Sequence, residues 1–321
     1  MYKCEFCGFS SESLDDFEED FSTHNGFWCP DCDGFNQFNN KRPFKTGYRL
    51  FLETPFKSDD SLVCKPCAFK TNVSLLRYPG GKSRLAGLVY ENCRSEHMQN
   101  FIEPFAGGAS VGLSFLLADK IDHLWLNDAD FGVYSLLYMI KYMPAVLKGR
   151  IAAFKPSQEA YYKAQHEVLS NYRSSDINDA AWYALIVNRL AFSGIPYANA
   201  MSNPSARWNA KTLCKRVDAI HEKADHMHIA CMDACDYIQD KYWLPNSTLF
   251  IDPPYYEKGS TLYHCYYNDE QHRALAYTLD ELYKSFPCND MIITYDNSPA
   301  ILDMYNYPKK YIVTRKYSIA N

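Results

Sequence analysis

No apolar run in this 321-residue sequence reaches the roughly 20 residues that a membrane-spanning helix needs. The polar opening Met1-Tyr2-Lys3-Cys4-Glu5 lacks the basic and apolar blocks of a secretory signal. Together these absences argue against a membrane or secreted protein and lead to the expectation of a cytoplasmic one. An excess of basic residues is missing too: 33 Lys and Arg against 38 Asp and Glu give a formal charge of −5. A surface that attracts polyanions everywhere is therefore excluded, and any nucleic-acid contact must be local. Lys41-Arg42, Lys45, Arg49, Lys211, Lys215-Arg216 and the run Lys309-Lys310 to Arg315-Lys316 are candidate basic faces, whereas acids concentrate between Glu12 and Asp20. A phosphate-binding P-loop is absent as well. Gly80-Gly81-Lys82-Ser83 has its ending, but Leu76 stands five residues before the second glycine, where that loop needs another. No internal repeat or low-complexity run interrupts the chain.

Cysteine, by contrast, is plentiful. Twelve cysteines without a secretory signal imply a reducing compartment. Cys4 and Cys7, Cys29 and Cys32, and Cys64 and Cys67 form three CxxC pairs, the first two spaced like the knuckles of a four-cysteine zinc ribbon. Thiolates at that spacing approach one tetrahedral metal from two turns, so a structural zinc is expected. The third pair either shares a knuckle or builds a second site, for which Cys93 and His97 are a possible partner. Cys214, Cys231, Cys235, Cys265 and Cys288 read as small buried apolar residues.

The apolar run Ser247-Thr248-Leu249-Phe250-Ile251 leads into Asp252-Pro253-Pro254-Tyr255. A buried strand ending in that loop brings a carboxylate, an acceptor carbonyl and an aromatic face to one sheet edge. Such a cluster suits a flat base with an exocyclic amine: Asp252 and the Pro253 carbonyl accept from the amine, and Tyr255 stacks on the ring. Upstream, Phe101-Ile102-Glu103-Pro104-Phe105-Ala106-Gly107-Gly108 runs from apolar residues into a glycine turn and then an apolar helix pattern. About 20 residues on, Leu124-Trp125-Leu126-Asn127-Asp128 ends in an acid where a doubly wound sheet would hold a ribose diol. The turn and acid alone fit NAD as well as S-adenosylmethionine.

Taken in order, Tyr78-Pro79-Gly80-Gly81-Lys82, Glu103 to Gly108, Asp128 and Asp252-Pro253-Pro254-Tyr255 resemble the motifs of the DNA adenine methylase (Dam) type of class α, D12-class N6-adenine DNA methyltransferases. Asn188-Arg189-Leu190-Ala191-Phe192-Ser193-Gly194 resembles the opening of that family's recognition region, and Ile292 to Ser298 its late strand. The resemblance covers roughly residues 72 to 321. It implies an α/β fold: a Rossmann-like methyltransferase sheet with a helical target-recognition insertion, here carrying an added N-terminal zinc-binding module. It also implies S-adenosylmethionine as cofactor, double-stranded DNA as partner, and base flipping. Tyr78, Gly80, Gly81 and Lys82 would close over the methionine part of the cofactor. Glu103, Pro104, Phe105 and Gly107 would form its cradle, Asp128 would accept from the ribose, and Asp233 would bind the adenine. Asp236 competes for that last role, and a helix cap is the alternative for Asp233.

The expected organisation is a metal-stapled module over 1–70, a cofactor-binding part over 71–155, a helical recognition insertion over 156–227 and a catalytic part over 228–321. Within it Tyr48 to Leu52 reads as a strand, Pro156-Ser157 as a helix start, and Ala180 to Asn188 as the strongest helix. The family's motifs do not specify a target sequence here. Methylation of cytosine N4 or of RNA shares the chemistry, and a non-catalytic DNA-binding protein would share the fold.

Overall fold

The computed structural model describes residues 47–56, 62–63, 69–70, 72–77, 81–287 and 289–314, and before residue 47 only 2–3, 7, 10–11, 18–19, 26–28 and 35–37. Apolar runs of four to seven residues form strands β1 (Tyr48–Thr54), β2 (Met98–Glu103), β3 (Ile121–Asn127), β4 (Met227–Ala230), β5 (Ser247–Ile251), β6 (Asp290–Asp296) and β7 (Lys309–Thr314). They lie parallel in the order β4-β3-β2-β5-β6-β1-β7, and Leu62–Val63 adds a two-residue parallel edge beyond β7. From β2 the chain winds outward to β3 and β4, then returns to wind the other way through β5 and β6. The crevice between β2 and β5 is thus a topological switch point, where ligands of open parallel sheets bind.

The helices are α1 (Ala86–Asn92), α2 (Ser110–Leu116), α3 (Phe131–Tyr142), α4 (Pro144–Ala153), α5 (Gln158–Leu169), α6 (Ile177–Leu190), α7 (Ala210–His221), α8 (Ala234–Lys241), α9 (Gly259–Leu262), α10 (Asp269–Ser285) and α11 (Pro299–Met304). Successive strand side chains point to opposite faces, so each strand feeds two cores. Phe101, Phe250 and Ile292 pack with α2, α3 and α6 on one face. Their neighbours Ile102, Leu249, Ile251, Met291 and Ile293 pack with α8, α10 and α11 on the other. Both faces are covered, which is why the strands read as continuous apolar runs rather than alternating ones.

Residues 156–227 hold α5, α6 and α7. Ser157 caps α5 by accepting from the Ala160 amide, and Asp176 caps α6 by accepting from that of Asp179. Yet α5, α6 and α7 pack their apolar sides into the same core as the sheet.

The expected boundary at residue 70 needs correction. All seven residues of β1 are buried, and the strand lies between β6 and β7 in the interior of the sheet. Leu50 and Leu52 join one core and Phe51 the other. At its start Arg49 donates to Asp290 at 2.7 Å, and Asp290 also accepts from Thr248 on β5 at 3.0 Å. This buried pair ties the register of β1 to β6, and a carboxylate stripped of its guanidinium there would be costly.

Candidate active site

Five strands deliver an acid to the same sheet edge. Glu53 stands near the end of β1, Glu103 ends β2, Asp128 follows β3, Asp252 follows β5, and Asp296 ends β6. All five line one cleft of about 1550 Å³ over the switch point. That volume exceeds the ~300–1,000 Å³ of a typical small-ligand pocket and leaves room for a nucleoside cofactor and a second planar group together. A shallower groove of about 330 Å³, between Arg273, Tyr277 and Tyr307, lies apart from these acids.

Asp252 emerges from the buried β5 with its side chain 23% exposed to the cleft. Its Oδ1 accepts from Thr294 Oγ1 at 2.7 Å and pairs with Lys82 Nζ at 2.6 Å. Burial pushes the Asp252 carboxyl up; the Lys82 ammonium opposes that shift, and the charge of Glu53 reinforces it. Pro253 and Tyr255 are buried, and Pro254 is half-buried at the cleft wall. The Tyr255 hydroxyl donates to Glu53 Oε2 at 3.3 Å, and Lys82 Nζ lies 4.8 Å from the centre of its ring. Behind the motif, Asp296 accepts from the amides of Tyr256 at 2.9 Å and Glu257 at 3.0 Å, which clamps the loop as it leaves the sheet.

The glycine turn follows from close packing. Gly107 takes a left-handed φ of 47° and its amide donates to Asp128 Oδ2 at 2.7 Å. Asp128 Oδ1 accepts from the Asp130 amide at 2.9 Å. Gly112, in α2, donates to Glu103 Oε1 at 2.7 Å; a Cβ there would meet Leu124 Cδ1 at 2.4 Å and Glu103 Oε1 at 3.1 Å. Burial pushes the Glu103 carboxyl up to about 8 against the Gly112 bond, with the nearby Asp252 charge adding to the rise. Asp128 is pushed up to about 7, again by burial and then by the charge of Asp130. Pro104, Phe105 and Gly81 line the same cleft. Asp233 both lines it and caps α8, accepting from the amides of Cys235 at 2.7 Å and Asp236 at 3.2 Å.

Lys82 stands among the carboxylates of the cleft: besides Asp252 it reaches Glu53 Oε1 at 3.0 Å. Tyr78 and Gly80 lie outside the described residues, as do Cys4, Cys29, Cys32, Cys64 and Cys67. Cys7 is exposed. Among the described residues no group of three or more metal-ligating side chains comes together.

A basic wall completes the cleft. Arg77, Arg189, Arg207 and Arg216 converge there. Asn188 donates to the Arg77 carbonyl at 2.9 Å and accepts from its amide at 2.7 Å, binding the end of α6 to the irregular segment 72–77. Arg189 is 5% exposed, and its Nε and Nη2 have no hydrogen-bond partner among the described residues. Burial lowers its guanidinium to about 9, and the charges of Arg216, Arg77 and Arg207 push it the same way. Only Arg216 and the Asn188-Arg189 pair had been singled out from sequence. Glu53 was missed for a different reason. It ends its apolar strand as Asp128 and Asp252 end theirs, but that strand was read as part of the N-terminal module.

Two comparisons bear on this arrangement. The type II methyltransferase M.CviBI of Paramecium bursaria Chlorella virus NC1A is 24% identical over 212 residues, which span 63% of this chain and 76% of that protein. Residues 78–319, which carry every cleft acid but Glu53, match the model for D12 class N6 adenine-specific DNA methyltransferases. On that match, spanning most of its length, the chain belongs to the D12 class N6 adenine-specific DNA methyltransferase family.

Proposed function

We propose that this cleft transfers a methyl group from S-adenosylmethionine to the N6 amine of an adenine flipped out of double-stranded DNA. The observation that carries the reading is that Asp252-Pro253-Pro254-Tyr255 and the Glu103, Gly107 and Asp128 cradle face one another across one switch-point cleft. The cradle fits a nucleoside cofactor. Asp128 offers a ribose diol a half-buried carboxylate already oriented by two amides, and Gly108 leaves open a place where a Cβ would crowd Ser74 Oγ at 2.8 Å. Glu103 stands beneath the turn, and Asp233 is an exposed acid on the far wall for the adenine.

S-adenosylmethionine supplies an electrophilic methyl on a sulfonium with a good leaving group. The chain's own part is orientation and charge. Asp252 and the Pro253 carbonyl accept the two N6 protons and aim the nitrogen lone pair at the methyl. As the N–C bond forms, the C–S electron pair stays with sulfur, and the surplus N6 proton then passes to Asp252. Its upward shift favours that acceptance. Tyr255, with Tyr263 and Tyr266 beside it in the cleft, offers aromatic surface to the extruded base. The arginine wall is suited to the phosphates of the flanking strand, where an anion would relieve the self-repulsion around Arg189.

The type II name of the viral relative supports a site-specific modification enzyme. Structural zinc in the N-terminal module remains part of this reading. Its support is the CxxC spacing of Cys4 with Cys7 and Cys29 with Cys32. Incubation with labelled S-adenosylmethionine and duplex DNA, followed by nucleoside and metal analysis, tests all of this. N6-methyladenine and at least one zinc per chain are expected; methylcytosine alone, or no transfer, would overturn the function.

A further inference from the structure

The geometry points to Glu53 as a positioning residue of this methyl transfer: from a strand that precedes the family segment, it holds Lys82 and Tyr255 and through them sets how Asp252 meets the target amine. The inference rests on the function proposed above.

Glu53 is 2% exposed and sits on β1 opposite Asp296 of β6, with its carbonyl accepting from the Asn297 amide at 3.0 Å. A carboxylate so placed is costly to desolvate, and its two oxygens serve two different motifs. Oε1 meets Lys82 Nζ at 3.0 Å, and Oε2 accepts from the Tyr255 hydroxyl at 3.3 Å. The same ammonium donates to the Tyr255 oxygen at 3.4 Å and pairs with Asp252 at 2.6 Å. Glu53, Lys82 and Tyr255 thus close a triangle of contacts, and Lys82 Nζ also pairs outside it with Asp252 Oδ1.

The charge balance gives the triangle its consequence. Lys82 facing Asp252 alone would form a neutral pair, and its undivided charge would weaken the other Asp252 oxygen as an acceptor for the adenine amine. With Glu53 present, one cation is divided between two carboxylates. Lys82 then holds Asp252 Oδ1 in place together with Thr294, without neutralising the group, and the aspartate keeps its acceptor strength. A purely stabilising role for β1 is already met at its other end by Arg49 and Asp290.

The test uses the full chain with Glu53→Gln, Glu53→Asp, Lys82→Met and the double variant Glu53→Gln/Lys82→Met. It compares single-turnover methylation across pH, calorimetric S-adenosylmethionine binding and thermal melting. Glu53→Gln is expected to slow methyl transfer by about 10- to 100-fold while cofactor affinity stays within about threefold. Its acid limb should move to lower pH, because the like charge that raises Asp252 has gone. The other groups around Asp252, namely Lys82, Glu103, Tyr255, Tyr263 and Thr294, are unaltered in that variant. Glu53→Asp should recover part of the rate. In the Lys82→Met background, Glu53→Gln should cost much less than it does alone. An unchanged rate and acid limb in Glu53→Gln would overturn the inference. So would full multiplicative losses in the double variant, or parallel losses of cofactor binding and melting temperature in both Gln and Asp variants. Absence of methyl transfer by the wild type, measured alongside, overturns the underlying function and this inference with it.

Discussion

In the proposed reaction Asp252 meets the reacting nitrogen, so its replacement should separate binding from chemistry. Asp252→Ala should reduce methyl transfer by at least about a thousandfold and leave calorimetric S-adenosylmethionine affinity within about threefold. At Gly112 the concern is space rather than charge. A methyl there would press on Leu124 and Glu103 inside a packed layer, so Gly112→Ala should lower stability by about 1–3 kcal/mol in a denaturant titration. Legibility at this scale followed a simple grammar: an apolar run that ends in an acid at a parallel sheet's edge. Asp128 and Asp252 were read that way. Glu53 obeys the same grammar but was assigned elsewhere. Arg189 carries no such signature, because its burial depends on the segment around Arg77 folding over the end of α6.

Among the elements, the helices that bring the arginines together were expected from sequence: α6 spans the apolar stretch Ala180 to Asn188, and the start signal Pro156-Ser157 opens α5. Their convergence on one wall was not, since it comes from α6, α7, the turn Pro204–Arg207 and the segment before Lys82 meeting in space. Arg207 and Arg216 are half-buried with their guanidiniums lining the cleft, and each should release counterions on binding DNA. Arg207→Ala and Arg216→Ala should therefore each weaken duplex binding and lower the slope of log affinity against log salt by about 1, with cofactor affinity unchanged. A slope equal to wild type in both variants would remove the wall from the DNA interface. The place of β1 was likewise hidden. Its apolar pattern announces a strand, but its partners β6 and β7 lie near the other end of the chain, and local patterning is silent about pairing at that distance.

For the molecule as a whole, Glu103 and Asp128 link protons to stability and, in the proposed function, to the cofactor. Their folded carboxyls sit near 8 and 7, above the usual carboxylate range, so the ligand-free fold holds protons that the unfolded chain has lost. Stability without cofactor should accordingly fall as pH rises from about 4 to 8, the sign that linkage assigns to a raised acid. A ribose and a cationic sulfonium favour the ionised carboxylates. S-adenosylmethionine should then bind with proton release and weaken as pH drops below about 8, which calorimetry in buffers of differing ionisation enthalpy will show. Truncation gives a sharper contrast. A chain beginning at residue 47 keeps β1 and should melt cooperatively and bind cofactor, whereas one beginning at 71 leaves β6 and β7 without the strand between them and should lose both properties. The same placement makes the order of synthesis matter. Arg49 leaves the ribosome 241 residues before Asp290, and at ~5–20 residues per second the gap is roughly 12 to 50 s. Throughout that interval a seven-residue strand destined for complete burial has no neighbour in its sheet. The sheet of this protein can close only once β6 and β7 have been made, and until then the nascent chain carries an unpaired apolar strand that a cell must shield.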